Sequence, residues 1–152
     1  MFLNNDFRDF LQALNQAQVA YILVGGYAVI LRGYSRSTGD LDVWIEKTPE
    51  NYKKLLRAFQ LFGAPAEAVP YDAFFSDDYD VFAIGVPPFA IEIMTEVKGL
   101  NFRETYEKAT IEVLDEVPIR VIHIQHLLQA KRAAGRYKDL NDIENLSDKN
   151  SD

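Results

Sequence analysis

The stretch that decides the fold is residues 21–46, which read YILVGGYAVILRGYSRSTGDLDVWIE. Its opening residues, 21–24, are a short apolar, β-branched run that is typical of a buried strand. Gly25 and Gly26 follow where the backbone has to turn, and residues 27–32 then read as a short helix. Because glycine has no Cβ, such a turn can point backbone N–H groups at an anion beside a helix N-terminus. The pattern therefore predicts a phosphate-binding turn.

A pair of aspartates follows this turn on a second predicted strand. Residues 40–46 alternate with period two, so Asp40 and Asp42 project from one face of the strand and the apolar residues between them from the other. Two carboxylates side by side are a candidate site for a divalent metal ion. The same pattern also fits two solvated aspartates on an edge strand, because an Asp-x-Asp spacing alone is common.

The combination of strand, Gly-Gly turn, helix and acidic strand resembles the nucleotidyltransferase superfamily of DNA polymerase β, and especially its small bacterial branch of minimal and antibiotic nucleotidyltransferases. Val24-Gly25-Gly26 and Asp40-Leu41-Asp42 match the signature of that family. The resemblance implies a small α+β domain with a mixed, twisted sheet, helices packed on one face and the acids at one exposed edge. It also implies a third carboxylate on a later, neighbouring strand.

Glu92 is the candidate for that third carboxylate. It is the one charged residue in the strand-like run 89–95, and burying a lone carboxylate is costly unless a cation compensates it. A partly exposed strand glutamate is the alternative interpretation. Related small transferases more often carry Asp at this position, so Glu92 adds one methylene group to the expected site.

Basic and hydroxyl side chains that could contact a polyphosphate lie at two places in the chain. Arg36 and Thr38 come just before the acidic strand, where Arg36 could also be an ordinary surface arginine and Thr38 could simply shape the loop. Lys131 and Arg136 belong to a basic run that resembles the C-terminal element of the same transferases. A solvated helix face would explain some of these charges, and triphosphate binding would explain why they cluster.

Two acidic residues accompany this basic run. Asp139 and Asp142 are expected to orient or offset its cations and to cap the last helix. His123 and His126 are expected to be structural or exposed and not metal ligands, because the implied metal site uses oxygen donors.

The resemblance implies a metal-dependent transfer reaction with a nucleoside triphosphate (NTP) as substrate. Two Mg²⁺ ions, for which Mn²⁺ could substitute, would be held by the catalytic carboxylates Asp40, Asp42 and Glu92. The nucleotide-binding residues would be Gly25, Gly26, Arg36, Thr38, Lys131 and Arg136.

The identity of the acceptor and the activity itself remain open at this point. The acceptor could be a small molecule such as an aminoglycoside-like amine, or a macromolecule that offers a protein hydroxyl or a tRNA end. Residues 71–79 mix aromatics with carboxylates and could form an acceptor pocket or only a connector. The alternative functions are a non-catalytic, nucleotide-binding regulator of the toxin-antitoxin type and an interaction domain that binds no nucleotide.

Length and composition bound these interpretations. The chain has 152 residues, of which 48% are hydrophobic and 26% charged, so we expect a single domain over residues 1–146 and a disordered tail over 147–152. The formal net charge of −7 opposes a broad, nonspecific hold on nucleic acid. The chain contains no cysteine and no long apolar run, and we expect a cytoplasmic protein without a membrane partner. A second copy of the chain is a possible partner, because so short a chain could leave its pocket open.

Overall fold

The computed structural model describes residues 3–150 and the side chains as far as residue 147. The described chain forms a mixture of helices and strands, with a 3₁₀ turn at Ala66–Ala68. The helices are α1 (Asn5–Gln16), α2 (Gly25–Leu31), α3 (Pro49–Phe62), α4 (Tyr71–Phe75), α5 (Phe102–Lys108), α6 (Ile124–Ala134) and α7 (Tyr137–Asn150). The strands are β1 (Tyr21–Val24), β2 (Leu41–Ile45), β3 (Val81–Ile84), β4 (Ile91–Met94), β5 (Thr110–Leu114) and β6 (Val117–Val121).

The strands form one mixed sheet in the order β3-β4-β2-β1-β6-β5. Strand β2 pairs antiparallel with β1 and parallel with β4, and the two outer hairpins, β3–β4 and β5–β6, are antiparallel. This arrangement confirms the predicted α+β fold with a mixed sheet. Because β2 lies between β1 and β4, the acidic strand is an interior strand and not an edge strand.

The core lies between one face of the sheet and the helices α1 and α3. Leu41, Val43 and Ile45 are fully buried on this face of β2, which is the apolar face that the alternation predicts. Phe10 of α1 contacts Phe59 of α3 across the layer, with ring centroids 6.2 Å apart. These two helices form the predicted helical layer.

The opposite face of the sheet carries helical contacts as well. Trp44 alternates with Val43 and so projects from this second face, where its ring meets Phe102 of α5 edge-on at 5.1 Å. Asp42 shares the face of Trp44, because the two residues are two positions apart on one strand. The acidic residues therefore lie on the face that α5 covers only in part.

Capping residues set the ends of several helices. Thr48 accepts a hydrogen bond from the backbone of Asn51 at the start of α3, and Gly63 ends this helix in a left-handed conformation. Gly135 ends α6 in the same way. Helix α7 continues to Asn150, so residues 147–150 are helical where the sequence predicts a disordered tail, and residues 151–152 lie outside the described residues.

Across the part of the chain that the structure describes, no helix is both long and apolar enough to span a bilayer.

Candidate active site

Asp42 and Glu92 come together because β2 and β4 are neighbouring parallel strands. The two residues are paired directly in the register, so their side chains share one face of the sheet. The pKa of Asp42 is raised to about 8, first by burial, then by a hydrogen bond to Glu92 and by the negative charges of Glu92 and Asp40, while Lys131 opposes the rise. Among the described side chains, Asp42 Oδ1 is one of the buried polar atoms that find no hydrogen-bond partner.

Asp40 lies just before β2 and is tied to the neighbouring strand. Its Oδ1 accepts a hydrogen bond of 2.9 Å from the backbone N–H of Ala90, which precedes β4. Asp40 and Asp42 thus lie at one end of interior strands. The expectation that the acids lie at an exposed edge of the sheet is wrong, because β1 and β4 flank the strand that carries them.

The two glycines of the turn permit close approaches to site residues. Gly25 has a φ of 70°, and a Cβ at this position would collide with Asp42 Oδ2. A Cβ at Gly26 would collide with the hydroxyl of Thr38. Helix α2 begins at Gly25 itself, two positions earlier than the sequence predicts. The glycine turn therefore brings the backbone against both Asp42 and Thr38.

Arg36 is bound to the last helix. Its guanidinium donates from Nε to Asp142 Oδ1 at 2.9 Å and from Nη2 to Asp142 Oδ2 at 3.1 Å, which is a bidentate pair. Lys131 Nζ donates to Asp139 Oδ1 at 3.2 Å and lies 3.1 Å from Asp142 Oδ2. Lys131, Asp139 and Asp142 are all buried. The acidic residues of α7 therefore pair with cations from the loop and from α6.

Arg136 completes this group of charges at the start of α7. Its Nε lies 2.6 Å from Asp139 Oδ2, and its backbone N–H donates to the same oxygen at 3.2 Å. Burial alone would raise the pKa of Asp139, but hydrogen bonds from Arg136 and Lys131 outweigh burial and lower it. The hydrogen bond to Asp139 raises the pKa of Arg136. We call Arg36, Lys131, Arg136, Asp139 and Asp142 the ion network.

These groups surround one cleft with a volume of about 870 Å³. Its lining includes every site residue that the sequence predicts, namely Gly25, Gly26, Arg36, Thr38, Asp40, Asp42, Glu92, Lys131 and Arg136. One wall is acidic and belongs to β2 and β4, and the facing wall is basic and belongs to α6 and the start of α7. Such a cleft offers cations for the phosphates of a polyphosphate and carboxylates of the type that bind divalent ions.

Some residues of the cleft are missed by the sequence analysis. Asp80, Met94 and Glu96 line the cleft beside Glu92. Met94 could have been found, because it shares the face of Glu92 on β4 by the period-two alternation. Asp80 and Glu96 lie outside the strands, and no pattern in the sequence places them at the cleft.

Other expected features lie outside the cleft. None of residues 71–79 lines it, and Phe74 packs against Tyr52 of α3 with ring centroids 5.0 Å apart, so the structure favours the connector over the acceptor pocket. His123 accepts a hydrogen bond from the backbone N–H of Gln125 and caps α6. His126 is also absent from the cleft lining, which agrees with structural roles for both histidines.

The three acids suit Mg²⁺ chemically without forming a finished cage. Within residues 3–147, no group of three or more acidic or histidine side chains is arranged to hold a metal ion. Mg²⁺ is usually held by only one or two carboxylates, with substrate phosphates and water as its other ligands. The unpartnered Oδ1 of Asp42 and the adjacent carboxyl of Glu92 are the type of oxygen pair that such an ion requires.

Several solved structures share the fold of this chain. The lincosamide antibiotic adenylyltransferase LnuA, bound to lincomycin, matches with a TM-score of 0.60 and 15% identity, over 96% of this chain and 97% of that chain. ANT(2")-Ia in complex with adenylyl-2"-tobramycin matches with a TM-score of 0.58 and 12% identity, over 93% of this chain and 86% of that chain. A Thermotoga maritima protein provisionally described as a nucleotidyltransferase matches with a TM-score of 0.62 and 17% identity, over 91% of this chain and 88% of that chain.

Sequence comparison assigns the family. No curated protein matches significantly. One family does match, and the match spans residues 3–148, which is nearly the whole chain. The chain belongs to the family described as "Nucleotidyltransferase of unknown function (DUF6036)".

Proposed function

We propose that this protein transfers a nucleoside monophosphate from an NTP to a hydroxyl group of an acceptor, in a reaction that depends on Mg²⁺. The observation that carries the proposal is the pairing of Asp42 with Glu92 at a cleft whose other wall is the basic end of α6 and α7. Nucleotidyl transfer needs both parts, because a polyphosphate has to be neutralised while the attacking and leaving oxygens are aligned.

The nucleotide would lie along the glycine turn and the basic wall. Gly25 brings the backbone close to Asp42 and Gly26 brings it close to Thr38. Lys131, Arg36 and Arg136 supply positive charge in the same cleft. These cations would bind the β and γ phosphates and stabilise the departing pyrophosphate. Thr38 lies against Gly26 and would contribute its hydroxyl to the same phosphates.

The acids would hold the metal and manage the proton of the acceptor. Asp40, Asp42 and Glu92 are the residues that would bind Mg²⁺, which neutralises phosphate charge and lowers the pKa of a bound hydroxyl. In the reaction, the acceptor oxygen forms a bond to the α phosphorus, and the bond from this phosphorus to the bridging oxygen breaks. Pyrophosphate leaves with the electron pair, and we assign Glu92 the role of accepting the proton from the acceptor hydroxyl.

The class of acceptor is left to experiment. LnuA is named as a lincosamide adenylyltransferase, and ANT(2")-Ia is described with an adenylylated tobramycin, but identities of 12–15% support a shared fold and not a shared acceptor. We therefore propose three acceptor classes for testing: amine-bearing small molecules, protein hydroxyls and the ends of tRNA.

The test is a screen for release of pyrophosphate from each NTP in the presence of each acceptor class. We expect release with Mg²⁺ and at least one acceptor, and loss of that release in Asp42→Asn, which keeps the size of the side chain but removes its charge. Tight nucleotide binding without release across all acceptors would favour the regulator. The absence of any nucleotide binding would favour an interaction domain.

A further inference from the structure

Asp142 differs from the other acid of the ion network in what its oxygens bind. Asp139 is the third residue of α7 and accepts from the backbone N–H of Arg136 just before the helix, as a helix-capping residue does. Asp142 lies in the next turn, beyond the reach of that cap. Its side chain is 2% exposed, and its carboxylate pairs with the side chains of Arg36 and Lys131. Capping of α7 therefore does not account for Asp142.

Arg36 connects Asp142 with the glycine turn. Its Nη1 donates to the backbone carbonyl of Ser37 at 3.0 Å and lies 3.5 Å from the place that a Cβ of Gly26 would occupy. The hydroxyl of Thr38 fills the rest of that space. Residues 34–39, which contain this arginine, belong to no helix or strand. The bidentate pair with Asp142 thus fixes an irregular segment between the glycine turn and Asp40.

Repulsion between Arg36 and Lys131 explains why these side chains need a carboxylate between them. Arg36 and Lys131 both approach Asp142 Oδ2, at 3.1 Å each, so two cations are brought close together. Without a carboxylate between them they would repel each other, and the buried Lys131 would lose half of its acidic partners. Both cations still line the cleft. Asp142 also borders the cleft, but its side chain is only 2% exposed, so it holds the two cations beside the space for the substrate with almost no accessible surface of its own.

We propose that Asp142 is a positioning residue that presets Arg36 and Lys131 to receive the triphosphate. The proposal rests on the proposed function, because it assumes that these cations bind phosphate. It predicts that the acid acts through the cations and not through contact with the substrate. Removing its charge should therefore weaken nucleotide binding while the catalytic carboxylates on β2 and β4 keep their places.

The test measures the affinity for an NTP analogue with an α,β-methylene bridge by isothermal titration calorimetry, which needs no turnover. We expect Asp142→Asn to raise Kd by about 10–100-fold, by analogy with the loss that follows removal of the hydrogen-bond partner of a metal ligand. We also expect KM for the NTP to rise more than kcat falls. In a double-mutant cycle, Arg36→Ala with Asp142→Asn should lose far less affinity than the product of the two single losses.

A matched control uses a bidentate pair outside the cleft. Arg103 pairs with Glu46 at 2.8 and 2.9 Å, so Arg103→Gln removes a similar ion pair and should leave Kd unchanged. If Asp142→Asn fails to fold, Asp142→Glu, which keeps the charge but displaces it, supplies the same comparison. The inference would be overturned if the double variant lost affinity by the full product of the two single losses. An unchanged Kd in folded Asp142 variants would overturn it as well. Wild-type protein that binds no analogue would instead contradict the proposed function.

Discussion

The folded protein disfavours the ionised form of the Asp42 carboxyl. Its pKa is raised from the ordinary value of 3.8 to about 8 in the folded protein, because burial and the neighbouring carboxyls Glu92 and Asp40 disfavour the charged form. The folded state therefore holds a proton that the unfolded state releases. The stability from this group is complete below about pH 4 and is lost as the pH rises to about 8.

We expect Asp42→Asn to be more stable than the wild type at pH 8.5 in the absence of metal. The amide carries no charge to desolvate and can donate to Glu92, so the gain should be on the order of a few kcal/mol. Urea unfolding of both proteins at pH 4 and pH 8.5, in EDTA, measures this difference in the free energy of unfolding. The difference should nearly vanish at pH 4. A gain of equal size at both pH values would show that the charge is not its source.

Gly25 is a second residue whose backbone conformation bears on the proposed function. Its φ of 70° is unfavourable for other residues, and a Cβ would displace the Asp42 carboxylate. We expect Gly25→Ala to destabilise the protein by more than about 2 kcal/mol and to abolish nucleotidyl transfer.

Gly63 provides the matched control for this variant. It also has a positive φ, of 100°, but a Cβ there would meet nothing within 4 Å. Gly63→Ala should therefore cost only the backbone strain, about 1–2 kcal/mol, and leave transfer intact. Equal effects of the two alanines on transfer would mean that closeness to Asp42 is irrelevant at Gly25.

At the scale of the elements, the cap of α7 is predicted to depend on ionised Asp139. Hydrogen bonds from Arg136 and Lys131 lower the pKa of Asp139 despite its burial. The stabilisation is therefore present above about pH 4 and is lost as the pH falls through the lowered pKa. We expect Asp139→Asn to cost on the order of 3 kcal/mol at pH 7.

Unfolding monitored from pH 7 down to pH 2.5 tests this prediction. The cost of Asp139→Asn should shrink towards the acid end, because the wild-type carboxyl is then protonated as well. Asp115, whose carboxylate accepts a backbone hydrogen bond from Leu3 far from the cleft, offers a control variant, Asp115→Asn. If the cost of Asp139→Asn does not change with pH, its ion pairs do not stabilise α7.

The elements also show what the sequence could predict and why. Helix α3 was predictable at both ends, because Thr48 and Gly63 are local signals that need no knowledge of the rest of the fold. The association of Arg36 with Asp142 was not predictable, because these residues are 106 positions apart and an ion pair leaves no periodic pattern. The same holds for the strand order, so the sequence could not show that the acidic strand is interior.

At the scale of the whole molecule, the net charge bears on how a nucleotide can bind. The chain carries a formal charge of −7, so its surface does not attract polyanions in general. Within the cleft, Asp40 and Glu92, joined by Asp42 once it has lost its proton, would repel metal-free phosphates, while the ion network would attract them. The balance should depend on a divalent ion that screens the acids from the nucleotide.

We therefore expect Mg²⁺ and an NTP together to stabilise the protein far more than either alone. At a ligand concentration of about 100 times Kd, binding adds about 2.7 kcal/mol, which corresponds to a rise in Tm of roughly 5–10 °C for a chain of this size. Thermal unfolding with Mg²⁺ alone, with NTP in EDTA and with both measures the three effects. Lys54→Gln, which removes the exposed pair with Glu50 on α3, should respond like the wild type. An equal rise in EDTA would mean that nucleotide binding needs no metal ion, and the acidic wall would then require another role.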